Sequence, residues 1–145
     1  MSFLETVEKA RAFLERNGRV SLRALLDEEV AAARKHLARK VEARALELQG
    51  RALVVLDRRE EASRSLEAAL EVARGIGYPP AIWRSLSLLA ELARRAGDRA
   101  QADRLSSEAR GLVERLAGTL PETELRHELG ALGGRLVNDP LGAYR

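Results

Sequence analysis

The sequence predicts an all-α protein of about six to seven helices that pair as antiparallel hairpins. Three observations predict this fold. Ala, Leu, Glu and Arg, which are good helix formers, dominate the composition, whereas aromatic residues make up only 3% of the chain. Between clusters of Gly and Pro, apolar residues recur three and four positions apart, as on one face of a helix. No segment shows the sustained alternation of apolar and polar residues that half-buried strands require.

The composition also excludes several classes of protein. A chain of 145 residues is long enough to bury its own core, so we expect one helical-repeat domain over residues 1–145. The absence of cysteine excludes disulfides and cysteine-based metal sites. The 25 Lys and Arg residues are interleaved with 22 Asp and Glu residues, a pattern typical of solvated faces rather than of nucleic-acid-binding surfaces. The N-terminus resembles neither a signal peptide nor a membrane span, which favours a cytoplasmic protein without a membrane partner.

The N-terminal region predicts a hairpin. Residues 3–16 form a helical pattern whose apolar side holds Phe3, Val7, Ala10 and Leu14. Residues 19–49 contain neither Gly nor Pro, so they form either one very long helix or two helices with a break near residues 38–41. We favour two helices. Residues 1–41 would then be a degenerate hairpin that caps the stack, because terminal repeats are usually atypical.

Two central hairpins are predicted over residues 42–80 and 81–118. Gly and Pro cluster between them and at the short turns within them, and short turns favour antiparallel neighbours. The apolar stripes of these helices are Ala62, Leu66, Ala69, Leu70 and Ala73; Ile82, Leu86, Leu89, Ala90 and Ala93; and Ala102, Leu105, Ala109, Leu112 and Leu116.

Helix starts carry capping signals. An Asp or Thr followed three residues later by Glu or Gln can cap a helix N-terminus, and Pro suits a helix's first turn. Three such pairs and one such proline occur: Asp57 with Glu60, Asp98 with Gln101, Thr119 with Glu122, and Pro80.

A final helix is predicted within residues 119–137, where it would cap the stack. Its apolar stripe is Leu125, Leu129, Leu132 and Leu136. Three glycines, Gly130, Gly133 and Gly134, should weaken it by about 1 kcal/mol each relative to Ala. The tail, residues 138–145, is either frayed or docked through Leu141 and Tyr144.

An internal repeat connects the two central hairpins. A shift of 40 residues superposes small and apolar residues at four positions: Leu46 on Leu86, Gly50 on Ala90, Ala62 on Ala102, and Ala69 on Ala109. Small residues at these positions would let neighbouring helices approach closely.

The segments ALELQGRALVVLDRREEASRSLEAALEVA and WRSLSLLAELARRAGDRAQADRLSSEARGLV resemble tetratricopeptide repeats, over roughly residues 43–117. Gln49 and Ser106 depart from the family pattern, and the 40-residue spacing exceeds the usual length of about 34. The resemblance implies a short right-handed α-solenoid. Less specifically, the segments GYPPAIWRSLSLLAEL and LPETELRHELGAL are similar to the helical-repeat tails of bacterial signalling and regulatory proteins.

In tetratricopeptide stacks the first helix of each hairpin lines a concave groove. The resemblance therefore implies a groove formed by Arg44, Glu47, Arg51, Val54, Arg84, Ser87, Glu91, Arg94 and Arg95. Its arginines would favour an acidic or C-terminal peptide segment, because guanidinium groups bind carboxylates in a bidentate manner. The predicted function is thus a protein-interaction scaffold or adaptor.

No catalytic, cofactor or metal site is expected. The two histidines, His36 and His127, have no companion ligand at metal-binding spacing, and no serine lies in a nucleophile motif. Two alternatives to the adaptor stay open. The N-terminal segment NGRVSLRAL, followed by basic residues, could contact nucleic acid, which we consider less favoured because Asp27, Glu28 and Glu29 follow it. Exposed apolar surfaces could instead build a homodimer.

Overall fold

The computed structural model describes residues 2–17, 19–120 and 123–142, and within them every regular element is a helix. The helices are α1 (Phe3–Asn17), α2 (Arg19–Val55), α3 (Arg59–Ile76), α4 (Pro79–Arg95), α5 (Arg99–Gly118) and α6 (Thr123–Asn138). The prediction of an all-α fold is confirmed. The chain divides into two compact units, residues up to Ala38 and residues from Arg39 onward.

In the first unit, α1 begins with a capping box. The backbone N–H of Glu5 donates to the Ser2 hydroxyl over 3.2 Å, and the Ser2 N–H donates to the Glu5 carboxylate over 2.8 Å. Lys9 of α1 lies 3.5 Å from Glu29 of α2. The predicted apolar side is only partly correct, since Ala10 is buried but Phe3 and Val7 are exposed. The Leu14 side chain lies outside the described part.

Helix α2 is continuous through residues 38–41, so the prediction of two helices is wrong. The four residues there are Ala38, Arg39, Lys40 and Val41. Three of them are strong helix formers, and one Val costs little, so nothing in this stretch disrupts the backbone hydrogen bonds. An ion pair one turn apart, Arg39 with Glu42 at 2.7 Å, adds to the local preference.

Three helices of the second unit end in the same way. At each end a backbone N–H donates to a carbonyl five residues earlier over 2.9 Å, as in a Schellman motif. The donors and acceptors are Arg58 and Leu53 after α2, Tyr78 and Ala73 after α3, and Asp98 and Ala93 after α4. The residue before each donor, Asp57, Gly77 or Gly97, has positive φ. Short connections follow from this geometry, as the sequence predicted.

Two predictions about helix starts are confirmed. The carboxylate of Asp98 accepts a hydrogen bond from the Gln101 N–H at 3.1 Å and caps α5. Pro80 occupies the first turn of α4, next to Pro79.

The other two predicted caps are wrong. Asp57 precedes the N-cap position of α3, which Arg58 occupies without a capping side chain. The Asp57 carboxylate instead accepts from Arg59 Nε at 2.8 Å. Thr119 is at the end of α5, where its hydroxyl donates to the Leu116 carbonyl over 2.6 Å. Glu122, its predicted companion, lies outside the described residues.

Small residues bring the helices of each hairpin together. A Cβ atom on Gly50 would lie 2.5 Å from Leu66 Cγ on α3, so only glycine fits there without a shift. The other small residues of the predicted repeat are buried: Ala62, Ala69, Ala90, Ala102 and Ala109. Of the two predicted leucines, Leu86 is fully buried and Leu46 is partly buried.

The predicted apolar stripe of the C-terminal helix is only partly correct, since Leu129 is partly buried. Leu132 and Leu136 are exposed, whereas Val137 is buried. A Cβ atom on Gly133 would overlap the Val113 side chain of α5, so this glycine permits close helix packing. The tail docks through Leu141, which is buried in the core, as one of the two alternatives predicted. Leu125 and Tyr144 lie outside the described side chains.

Candidate protein-interaction site

Five arginines follow one side of α2 and α4, and we refer to them as the arginine line. Its members are Arg44 and Arg51 on α2, and Arg84, Arg94 and Arg95 on α4. Helical periodicity explains the grouping, because residues seven apart lie on the same face. Arg84 also occupies the position of Arg44 in the 40-residue repeat. Side-chain contacts between α2 and α4 then place the arginines of the two helices next to each other.

Glu47 of α2 is the centre of the first group. Its two carboxylate oxygens lie 2.9 and 3.0 Å from Arg84 Nε on α4. On its own helix they lie 3.0 and 3.1 Å from Arg44 Nη1, and Arg51 Nη2 donates over 2.9 Å. Glu47 was predicted to line the groove, but its contacts with three arginines were not predicted. The missing signal is tertiary, since Arg84 is 37 residues away.

The Glu47 carboxylate is fully buried, which makes these partners necessary for its charge. An ionised carboxylate removed from water costs several kcal/mol unless charged donors compensate for it. Three guanidinium groups against one carboxylate leave a net charge of +2, because 3 − 1 = 2. The group is therefore both a structural connection between α2 and α4 and a source of positive potential.

A second group lies near the end of α4 around Glu91. Arg94 Nε and Nη2 donate to one Glu91 oxygen over 3.2 and 3.1 Å, and Arg95 Nε donates to the other over 3.1 Å. Burial acts to raise the pKa of the Glu91 carboxyl, but the hydrogen bonds from Arg95 and Arg94 outweigh it, so the pKa is lowered. Arg95 also donates to the Val54 carbonyl of α2 over 3.1 Å. With two arginines and one glutamate, this second group has a net charge of +1.

The structure separates the nine predicted groove residues into two sets. Arg44, Arg84, Arg94, Arg95 and Glu91 are exposed or partly exposed, and Arg51 retains a smaller exposed fraction. Glu47, Val54 and Ser87 are buried, so they support this face from beneath and do not line it. The Ser87 hydroxyl donates to the Trp83 carbonyl over 2.7 Å within α4.

The C-terminal segment borders one side of the arginine line. A small crevice there is lined by Arg51, Arg84, Ser87, Leu88, Leu136 and Pro140. The segment is held in place by the buried Leu141, and by a hydrogen bond from Arg110 to the Asn138 side chain. The position of the C-terminal segment beside the arginine line was not predicted, because nothing in the spacing of Leu136 and Pro140 connects them to α2.

A second concave surface lies among α3, α4 and α5. It encloses about 500 Å³ above an apolar floor that includes Leu70, Leu89 and Leu105. Glu60, Glu67 and Asp98 are among the residues at its polar edge. Because these residues come from three helices, sequence spacing alone did not reveal the cleft.

The described residues offer few candidates for metal binding, nucleic-acid binding or membrane insertion. Across residues 2–17, 19–120 and 123–142, no group of three or more His, Cys, Asp or Glu side chains is placed to hold a metal ion. His36 and His127 are both exposed. Of the basic residues near the N-terminal part of α2, Arg39 pairs with Glu42, and the Lys40 ammonium lies 5.0 Å from the Tyr78 ring centre. None of the described helices combines the length and apolar character of a membrane span.

Comparisons with protein-family models, with curated proteins and with solved structures found no match to this chain.

Proposed function

We propose that this chain is a non-catalytic protein-interaction module that binds an acidic segment of a partner along the arginine line. The observation that carries the proposal is the excess of positive charge on one side of α2 and α4. Five arginines share two glutamates there, so they carry three positive charges in excess of those two carboxylates, because 5 − 2 = 3. Asp57, which Arg59 binds at 2.8 Å, lies 4.0 Å from Arg95 Nη1 at one end of the line.

The chemistry of guanidinium groups favours a carboxylate ligand. Each guanidinium has five N–H donors in a planar fork, and a carboxylate accepts two of them in parallel. Arg44, Arg84 and Arg94 use only some of their donors in the described contacts and remain partly exposed. A segment rich in Asp or Glu, or a C-terminal carboxylate, would satisfy the remaining donors.

The internal glutamates support binding by orienting the arginines before a ligand arrives. Glu47 holds Arg44 and Arg84 at fixed positions, and Glu91 does the same for Arg94 and Arg95. Ordering a long side chain in advance reduces the entropy lost on binding. The resemblance to tetratricopeptide repeats supports the same surface, since the first helices of such hairpins line a groove. An adaptor or scaffold in a bacterial regulatory system is the role that we infer.

Binding of defined peptides tests the proposal. The affinity of the full chain for a fluorescent Asp/Glu-rich peptide would be compared with that for its Asn/Gln counterpart. We expect binding of the acidic peptide only, weakening with salt. The double variant Arg44→Gln/Arg94→Gln should weaken binding of the acidic peptide at least about tenfold, since a hydrogen bond to a charged group typically contributes about 1.5–3 kcal/mol.

The matched control removes two exposed arginines from other helices. Arg64→Gln/Arg104→Gln on α3 and α5 changes the net charge by the same amount. Equal weakening by both double variants would show nonspecific charge attraction and would contradict the proposal. Stronger binding of a single-stranded oligonucleotide than of the acidic peptide would favour the nucleic-acid alternative.

A further inference from the structure

Helix α2 is apolar on two opposite sides within the second unit. One side holds Ala43, Leu46, Gly50 and Leu53, which pack into the helical bundle or lie at its edge. The opposite side carries a row of exposed residues that we call the open row: Val41, Ala45, Leu48, Ala52 and Val55. Its members are spaced four, three, four and three residues apart, which is the heptad spacing of a helix–helix seam.

The exposure of the open row is large for apolar side chains. Val41 is 60% exposed, Leu48 43% and Val55 57%. Leu56 lies beside the row and is also exposed. A shallow depression on α2 is lined by Leu48, Ala52 and Val55 of the row together with Arg51 and Leu56. A helix that is apolar on both sides is ordinarily covered on both sides.

The 40-residue repeat shows what covers this side in the next hairpin. The register pairs the open row with residues of α4: Val41 with Ala81, Ala45 with Ser85, Leu48 with Leu88, and Ala52 with Leu92. All four residues of α4 are buried. Arg84 and Arg95, which flank them, contact Glu47 and the Val54 carbonyl of α2, so this side of α4 faces the preceding hairpin. The open row is therefore the equivalent docking face, without its cover.

We infer that the open row seats the open row of a second copy of this chain, with the two α2 helices parallel. The charges on the flanks of the row favour the parallel direction over the antiparallel one. Arg44 and Arg51 lie on one flank, and Glu42 and Gln49 lie on the other. A parallel pair places the basic flank of each helix against the other flank of its partner, so that Arg44 faces Gln49 of the second copy. An antiparallel pair would bring Arg44 beside the other copy's Arg51, where like charges repel.

The size of the contact agrees with a dimer of moderate affinity. Pairing over four turns of helix buries roughly 1,000 Å² in total, which is near the lower limit for specific interfaces. Two copies related by a twofold axis also close the assembly, so that neither row remains open. The dimer seam borders the arginine line at Arg44 and Arg51. Leu48→Glu changes neither arginine, so it tests the dimer separately from ligand binding.

Light scattering across a concentration series of the full chain tests the dimer. We expect the mass to rise toward twice the 16.0 kDa of one chain as the concentration increases from about 1 μM to about 1 mM. Leu48→Glu should raise the dissociation constant at least about tenfold, because a charge would be buried in the seam. The control is Leu132→Glu on α6, where an equally exposed leucine lies off the row, and it should leave the dissociation constant unchanged. Circular dichroism would check that both variants keep their helices.

The chain has no cysteine, so a single introduced thiol reports the alignment. In a parallel pair, Val41→Cys meets itself, and a short bismaleimide should crosslink it into a covalent dimer. Crosslinking only in a mixture of Val41→Cys and Val55→Cys would reveal an antiparallel pair and overturn the alignment. A chain that stays monomeric to about 1 mM, or a dimer that Leu48→Glu leaves intact, would overturn the inference.

Discussion

The two central hairpins share a backbone turn but differ in the side chains that stabilise it. At the ends of α2 and α4, three backbone hydrogen bonds recur 40 residues apart, with lengths that agree within 0.1 Å. The positive-φ residue is Asp57 in the first turn and Gly97 in the second. The helix that follows begins at an uncapped Arg58 in one hairpin and at a capping Asp98 in the other. Backbone geometry is thus repeated where side-chain chemistry is not.

The first helices of the hairpins differ more. In the 40-residue register, the buried Glu47 of α2 corresponds to the buried Ser87 of α4, and Arg51 corresponds to Glu91. Each hairpin therefore carries its central carboxylate one helical turn away from the position used by the other. The repeat therefore preserves the positions of packing residues, whereas the positions of charged residues differ between the two hairpins. The arginine line results from those differing positions.

The largest expected effect concerns the buried carboxylate. Glu47→Gln keeps the shape but leaves three arginines without their shared anion, so we expect a loss of about 2–4 kcal/mol in the free energy of unfolding. Glu91→Gln is the control, because its arginines reach solvent, and it should cost less than about 1 kcal/mol. Urea unfolding monitored by circular dichroism measures both. Equal losses would mean that burial does not distinguish the two groups.

A smaller effect concerns the closest contact within the first hairpin. Gly50→Ala would place a Cβ atom 2.5 Å from Leu66 Cγ, and Leu66 is fully buried and has little room to move. We expect a loss of about 1–3 kcal/mol, as for overpacked cores. Gly75→Ala in α3 is the matched control, because no atom lies within 4 Å of its added Cβ. It should leave stability unchanged or raise it by up to about 1 kcal/mol. A Gly50→Ala variant as stable as the unmodified chain would show that Leu66 can move aside despite its burial.

The sequence predicted what depends on local periodicity and missed what depends on distant contacts. The repeat register of Gly50, Ala62 and Ala102 followed from spacing, because small residues in a helical pattern mark close packing. The break in α2 was wrongly predicted since a stretch without Gly or Pro offers no signal for ending a helix. The stripe of α6 was only partly correct, because Gly133 and Val137 pack beside the partly buried Leu129 where Leu132 and Leu136 were predicted. The sequence of one helix does not show which side chain of a neighbouring helix will pack against its glycine.

The candidate site shows the same division. The resemblance to tetratricopeptide repeats implied that the arginines of α2 and α4 share one groove. It did not show that Glu47 would be buried among three of them, because that arrangement requires α4 to pack beside α2. Nor did it distinguish Val54 and Ser87, which are buried, from their exposed neighbours. A residue's depth on a helix that contacts several elements depends on all of them.

The smallest expected effects concern the two helix starts, where a capping side chain can be removed from one hairpin and introduced into the other. Asp98→Ala removes the cap of α5 and should cost about 1 kcal/mol. Arg58→Ser supplies a cap at the equivalent position of α3 and should add about 0.5–1 kcal/mol, reduced by a few tenths through loss of the exposed Arg58–Glu61 ion pair. Both N-cap residues have nearly the same backbone angles, with φ of −90° and −87° and ψ of 72° and 80°.

Because the backbone is already placed for a cap in both turns, the two variants should shift the thermal midpoint in opposite directions. Scanning calorimetry of both variants against the unmodified chain measures the shifts. A destabilising Arg58→Ser substitution would show that the first turn depends on the Arg58–Glu61 ion pair more than on helix capping. The two hairpins would then differ in how their turns are stabilised, and not only in which residues occupy them.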